Sequence, residues 1–548
     1  MRPSRSWSTV LFGILAVTLT LVAAACSSSS SDHATSPTVS STSPAAIGGS
    51  ATSAPTTGSK RPNVLFVLTD DLDLGEVAQM PNVKKLLAAQ GTSFSHYYAS
   101  VSLCCPSRST TLRGQYSHNT GVETNGGTNG GFETAHRLGL ESSTIGTWMQ
   151  AAGYRTALIG KYLNGYPDTV AETYVPPGWN EFDSAAAGNP YSEYRYTLNE
   201  NGRLVHYGST PADYGTDVYV RKTAAFVTAA AKAKQPFLAY LAVYAPHQPA
   251  TPAPQDARSF PGAKAPRGPA YNEVDVSGKP AYIRDRPLMT PQVQRRVDRL
   301  YRRRIQSLQA VDRGVGKLLA TLQTNGQLDN TYIVFTSDNG FHLGQFRMPS
   351  GKQTAYDFDI HLPLIVRGPG VPRGRTVDQV AGNVDLAPTM AAMGGAVVPS
   401  FVDGRSLLPL LTGAAPASWR NAYLVEHWKT TGAEPSGSAP LEPADPDQAG
   451  TTDPGSATTT PTTRLRLGAA AASPIPEFHG IRTARYLYVE YSTGERELYD
   501  TKADPDELHN LAGTAPASLL RSLAIETQAL RTCKAATCRS IEARPVPG

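Results

Sequence analysis

Five apolar runs, each closing on polar or reactive residues, set the pattern of the chain. Asn63-Val64-Leu65-Phe66-Val67-Leu68-Thr69 leads into Asp70-Asp71, and Thr331-Tyr332-Ile333-Val334-Phe335-Thr336-Ser337 leads into Asp338-Asn339-Gly340. Thr156-Ala157-Leu158-Ile159 ends in Gly160-Lys161, 237–244 ends in Ala245-Pro246-His247, and Leu364-Ile365-Val366 ends in Arg367-Gly368. Continuous apolar runs of this length fit strands buried on both faces. Helical patterns separate them. One covers 143–152, with Ser143 as N-cap and Gly153 as stop, and another covers 216–232. A third carries Val297, Tyr301, Leu308, Val311, Val315, Leu318 and Leu322 at three- and four-residue spacing before Asn325-Gly326. Strands alternating with helices predict an α/β fold whose central sheet is mostly parallel and flanked by helices. Ligands of such sheets bind beyond the carboxyl ends of the strands, so Asp70, Asp71, Lys161, His247, Asp338 and Asn339 are expected at one edge.

The pattern changes after Val425. Residues 431–473 are rich in Ala, Pro, Thr, Gly and Ser and read as a disordered surface insertion. It separates a main domain, 62–425, from a C-terminal subdomain, 475–548. Within the latter, 481–500 alternates as hairpin strands and 519–530 as a helix, predicting a smaller antiparallel sheet plus helix. At the other end, Arg2 and Arg5 precede an apolar stretch and Cys26, a lipoprotein-type signal peptide over 1–26. Ala24-Ala25-Cys26 looks like a bacterial lipobox, whose cysteine becomes lipidated, and the Ser/Thr/Pro tract 27–61 reads as a disordered tether. Together they predict export, either as a lipoprotein anchored to the outer face of the cell membrane or as a secreted protein.

The 548 residues carry a net charge of only +5, and Arg2 and Arg5 leave with the leader, so the chain has no nucleic-acid footprint. Two acids ending one strand and Asp-Asn ending another supply hard oxygen ligands. These suit calcium, with magnesium as the alternative; histidines and thiolates at zinc spacing are absent. Of the five cysteines, Cys533 and Cys538 lie close enough in sequence for a small disulfide loop outside the cytosol, though the sequence leaves their pairing open.

The densest signal is Leu103-Cys104-Cys105-Pro106-Ser107-Arg108-Ser109-Thr110-Thr111-Leu112-Arg113-Gly114. Pro106 suits a first helical position, and Leu112 and Gly114 suit a helix end, so Cys104 is expected at a helix N-terminus. There free N–H groups and the helix dipole favour an anion, with Arg108 one turn on. The run resembles the C-x-P-S-R-x(5)-G element of the sulfatase family, an alkaline-phosphatase-like superfamily. Other segments resemble it in the same order: 61–71, Thr336-Ser337-Asp338-Asn339-Gly340, Gly351-Lys352 with 359–370, and Glu497-Leu498-Tyr499-Asp500 followed by Asp504-Pro505. The double cysteine, 160–166 and 341–346 are similar to the N-acetylglucosamine-6-sulfatase branch.

The resemblance implies that 62–425 is a catalytic sulfatase domain. It implies oxidation of Cys104 to formylglycine by a formylglycine-generating enzyme, and a metal site of Asp70, Asp71, Asp338, Asn339 and the modified Cys104. Arg108, Lys161 and Lys352 would neutralise sulfuryl charge, Asp338 would act as base, and His247 would protonate the leaving alcohol. Many members carry a histidine two places after the active-site lysine, where this chain has Leu163; His342 is the candidate for the elimination step. The expected substrate is a sulfated carbohydrate, a 6-O-sulfated N-acetylglucosamine-type sugar, or an aryl sulfate. Rival readings are a general arylsulfatase, a phosphodiesterase or phosphonate hydrolase of the superfamily, and a non-catalytic sulfated-glycan-binding lipoprotein with Cys104 unmodified.

Overall fold

The computed structural model describes residues 61–414, 416–432 and 474–547. The expected signal peptide with Cys26, the tether up to Lys60, and the insertion from 433 to 473 lie outside the described residues.

Among the described residues, sixteen strands form three sheets. In chain order they are β1 (Asn63–Asp70), β2 (Thr92–Phe94), β3 (Tyr97–Tyr98), β4 (Arg155–Gly160), β5 (Glu181–Gly188) and β6 (Tyr196–Glu200). Next come β7 (Arg203–Tyr207), β8 (Phe237–Pro246), β9 (Thr331–Ser337), β10 (Leu364–Arg367) and β11 (Arg375–Val377). The last are β12 (Ala381–Gly382), β13 (Ala422–His427), β14 (Phe478–Thr483), β15 (Tyr486–Tyr491) and β16 (Arg496–Asp500). The main sheet has the order β11-β2-β10-β9-β1-β8-β4-β5-β6-β7. Its centre, β9-β1-β8-β4-β5, is parallel throughout.

The parallel centre follows from the apolar runs. In β1, Val64, Phe66 and Leu68 face one core while Leu65 and Val67 face the other. The second core is closed by the helices Gly215–Lys232 and Pro291–Thr324, through Val218, Phe226, Leu308, Val311 and Val315. Leu112 of the helix Cys104–Arg113 and Met390 of the helix Leu386–Gly394 close the first. A strand buried on both faces cannot tolerate charge along its length, so charged residues collect at its ends.

Several local expectations need correcting. β10 runs antiparallel to β9, so Arg367 lies at the edge opposite Asp338 and donates to the Leu86 carbonyl. The helix Ile145–Ala151 begins after Thr144 rather than Ser143, and Ser143 Oγ accepts from Trp148 Nε1 at 2.9 Å instead. Pro106 is the third helical residue, not the first, because the helix already starts at Cys104. Proline is tolerated there because first-turn N–H groups have no intrahelical partner.

β13 to β16 form the smaller antiparallel sheet. β13 precedes the 433–473 segment yet pairs with β14, His427 opposite Phe478. The smaller sheet therefore takes its first strand, which begins at Ala422, from the end of the span assigned to the main domain. Local sequence cannot show which sheet a lone strand joins. The helix Ala517–Leu530 packs Leu523 and Leu530 against this sheet, and Cys533 and Cys538 form a disulfide after it.

Candidate active site

The strand-end residues converge. β1 ends at Asp70, and Asp71 follows at φ +67°, a left-handed conformation that aspartate tolerates better than most residues. Two residues past β9 stands Asn339. β4 ends at Gly160, where a Cβ would meet the Ala242 carbonyl oxygen at 1.8 Å, so only glycine lets Lys161 turn inward there. His247 directly follows β8.

The helix Cys104–Arg113 delivers the motif to this edge and ends on Gly114 at φ +68°. Successive helical residues point about 100° apart, and the paired cysteines separate accordingly. Cys105 joins the apolar core and its N–H donates to Asn125 Oδ1 at 2.8 Å. Cys104 Sγ instead lies 3.3 Å from Asp70 Oδ1, 4.0 Å from Asp71 Oδ1 and 2.8 Å from Lys352 Nζ. It is wholly buried.

Charges of both signs surround it. Lys161 Nζ sits 2.7 Å from Asp70 Oδ2, and Lys352 Nζ 2.8 Å from Asp71 Oδ1. Arg108 donates through Nε to Asp338 Oδ2 at 2.8 Å, and its Nη2 lies 2.7 Å from the same oxygen and 3.5 Å from Asp70 Oδ1. Burial alone would raise the Asp70 carboxyl, but Lys161, His247, Arg108 and Lys352 together hold it well below the usual carboxylate range. At Asp338 burial prevails over Arg108, pushing the carboxyl up to about 6.

His247 Nε2 lies 3.5 Å from Asp71 Oδ2. Its Nδ1 is 2.7 Å from the Gln248 carbonyl, which can only accept, so Nδ1 carries a proton and Nε2 faces the cluster. His342 is fully buried with Nδ1 3.1 Å from both Asp359 oxygens, and its backbone bridges to Gly351, next to Lys352.

The donor set fits a hard divalent cation. Asp70, Asp71, Cys104 and His247 each place one ligand atom within 4.8 Å of the others. Asn339 gives its amide N–H to Asp71 Oδ1 at 2.7 Å, while its buried Oδ1 has no hydrogen-bond partner among the described residues. An orphaned buried amide oxygen beside two carboxylates is the environment calcium or magnesium uses. Asp338 is turned more toward protein donors, its Oδ1 accepting from the Asp71 and Asn339 amides at 3.1 and 2.8 Å.

Sequence patterns gave no sign of some neighbours. Tyr191, in the single 3-10 turn Pro190–Ser192, presents its ring to Lys161 Nζ at 5.0 Å and to His247 at 4.6 Å. Asp359 was visible only as part of a motif, not as the partner of His342. Tyr356, four residues after Lys352, donates to Glu497 of β16 at 2.6 Å, which ties the lysine segment to the smaller sheet.

Among the described residues no helix is long and apolar enough to cross a membrane. A sulfatase family model matches residues 62–396. The chain is 34% identical to human N-acetylglucosamine-6-sulfatase, over 88% of this chain and 87% of that one. It is 37% identical to the extracellular sulfatase SULF-1 homolog of Drosophila melanogaster over 67% of this chain, but spans only 33% of that protein, and 52% of a Caenorhabditis elegans relative. A solved structure in complex with its substrate D-glucosamine-2-N,6-O-disulfate superposes with a TM-score of 0.66 at 25% identity, over 88% of this chain and 99% of that one. The family match spans the helix of Cys104 and every strand end that meets it, and by that measure the chain belongs to the sulfatase family.

Proposed function

We propose that this protein hydrolyses sulfate esters of sugars, the 6-O-sulfate of an N-acetylglucosamine-type residue, at the centre around Cys104. The observation that carries the reading is the seat of Cys104: a helix N-terminus, enclosed by two carboxylates, with an ammonium group 2.8 Å from its sulfur. The choice of sugar draws on the human relative's name and on the glucosamine disulfate of the solved complex.

Formylglycine formed from Cys104 would supply, once hydrated, one hydroxyl to attack sulfur and a second whose collapse releases sulfate. A divalent ion held by Asp70, Asp71, Asn339 and Asp338 would supply positive charge to the sulfate oxygens. The chain's own residues do the rest. Lys161, Lys352 and Arg108 hold fixed positive charge in a dry site, where preorganised charge lowers a barrier most. Asp338, oriented by Arg108 and by the Asp71 and Asn339 backbone amides, would take the proton of the attacking hydroxyl. His247 keeps one proton on Nδ1 and, when charged, offers a second at Nε2 to the departing alcohol. Asp359 orients His342, the candidate for the elimination step. Export, through a signal peptide ending at Cys26 and with lipid anchoring there, belongs to the same reading.

Two measurements test it. Peptide mass spectrometry of protein from its native host should find formylglycine at 104 and an intact thiol at 105; full hydrolase activity with an intact thiol at 104 removes the mechanism. His247→Ala should harm hydrolysis of 6-O-sulfated N-acetylglucosamine far more than that of nitrophenyl sulfate, whose good leaving group needs no acid. Equal losses on both would take His247 out of the acid role.

A further inference from the structure

The helix Pro291–Thr324 is far longer than the sheet requires. Its 34 residues span about 50 Å at 1.5 Å per residue, against about 23 Å for the seven residues of β9 that follow it. Its longest unbroken buried run starts only at Arg304, and the half before Arg304 touches the protein through Val297 and a small apolar cluster that includes Phe341 and Leu343. Those two residues flank His342. Arg304 itself donates to the Asp71 carbonyl and stacks on Phe341 at 4.3 Å. The projecting half of the helix therefore stands beside the site.

That half is strongly basic. From Pro291 to Arg303 there are five arginines and one acid, Asp298. Asp298 is buried, with Arg267 at 2.6 Å, so it offers no compensation at the surface. Arg295, Arg299, Arg302 and Arg303 follow the i, i+4, i+7, i+8 spacing of one helix face. Arg295, Arg299 and Arg303 are exposed, with no ion pair among the described residues, and Lys264 is exposed on the adjoining loop. The stripe covers about 12 Å along the axis. A row of guanidinium groups at this spacing repels itself, and partial burial further disfavours the charge on Arg303; a partner bearing repeated anions relieves both.

We infer that this stripe is a docking surface for a sulfated polysaccharide chain, which holds neighbouring sulfated residues while one sulfate enters the site. The inference rests on the sulfate-ester reading and deepens it: the substrate is a polymer or long oligomer rather than a free sugar. Its charge complementarity is to sulfate groups spaced along an extended chain, which a row of arginines one turn apart matches bidentately.

The triple variant Arg295→Ala/Arg299→Ala/Arg303→Ala tests it, with the lysine triple as charge-preserving control. On a hexasaccharide carrying 6-O-sulfated N-acetylglucosamine, the alanine variant should lose roughly tenfold in kcat/KM, with weaker salt dependence. On the sulfated monosaccharide and on nitrophenyl sulfate it should match the wild type, and the lysine triple should keep most of the hexasaccharide rate. Retention on immobilised dextran sulfate supplies a readout without turnover: the alanine variant should elute at clearly lower salt. Equal rates on the hexasaccharide together with unchanged elution overturn the inference. So does retention on phosphatidylserine vesicles without retention on dextran sulfate, which would assign the stripe to a membrane surface. A wild type that binds dextran sulfate through the stripe but cleaves no sulfate ester would instead overturn the proposed function alone.

Discussion

Two residues carry the sharpest consequences. Lys352 touches both Cys104 Sγ and Asp71 Oδ1 at 2.8 Å, so its charge lies on the position proposed to react. Lys352→Ala is expected to lower kcat roughly 100- to 1000-fold with little change in melting temperature, measured with nitrophenyl sulfate. Asn339 is the second. If its orphaned oxygen serves a cation, dialysis against a chelator should lower the wild-type melting temperature, and calcium should restore it. In Asn339→Ala, restoration should need roughly tenfold more calcium; an unchanged requirement would take Asn339 out of the cation site. Residues at strand ends were legible because a continuous apolar run announces both the strand and the place where it stops. Tyr191 was not, since its contacts with Lys161 and His247 arise from where one short 3-10 turn is packed, and three residues are too few to show a period.

At the scale of elements, four strands of the parallel centre, β1, β4, β8 and β9, were readable from apolar runs, whereas β5, the direction of β10 and the sheet to which β13 belongs were not. The last two depend on pairing between distant segments, and a three-residue apolar run is compatible with either direction. A second legible element is the helix of Cys104, whose end at Gly114 was marked by glycine. One contact between elements makes a pH prediction. His118, after that helix, has Nδ1 2.9 Å from Glu426 of β13 and Nε2 2.9 Å from the Cys533 carbonyl. Burial would lower its pKa, but Glu426 and the carbonyl outweigh this and raise it to about 8. A histidine raised in the folded state contributes stability that is fully present below its ordinary value of 6.5 and is lost as pH rises through 8. Glu426 is itself pushed up by burial and also loses stability as pH rises, so the histidine's share must be isolated by difference. Melting temperatures of wild type and His118→Asn, compared from pH 6 to 8.5 in steps of about half a unit, should converge as the pH rises. A difference that stays constant would show that His118 contributes by packing alone.

For the molecule as a whole, the smaller sheet completes the site rather than standing apart from it. Tyr356–Glu497 and the bidentate Arg482–Asp357 pair at 2.8 Å fix the segment carrying Lys352 to β16 and β14. His427 and Phe478, on either side of the 433–473 segment in sequence, are paired across β13 and β14. Joining 432 to 474 by a short Gly/Ser linker should therefore keep activity and shift the melting temperature by only a few degrees, since halving a loop changes its closure free energy by about 0.6 kcal/mol. Loss of folding in that variant would give the segment a structural role. The enclosure of Cys104 also has a meaning in time. Its neighbours Asp338 and Lys352, the Glu497 that steadies the lysine segment, and the Glu542 that receives Tyr116 all follow it far along the chain. At roughly 5–20 residues per second of synthesis, the stretch from Cys104 to Glu542 takes on the order of half a minute to emerge. An enzyme that oxidised the thiol, as proposed above, would have to reach it before these partners close over it.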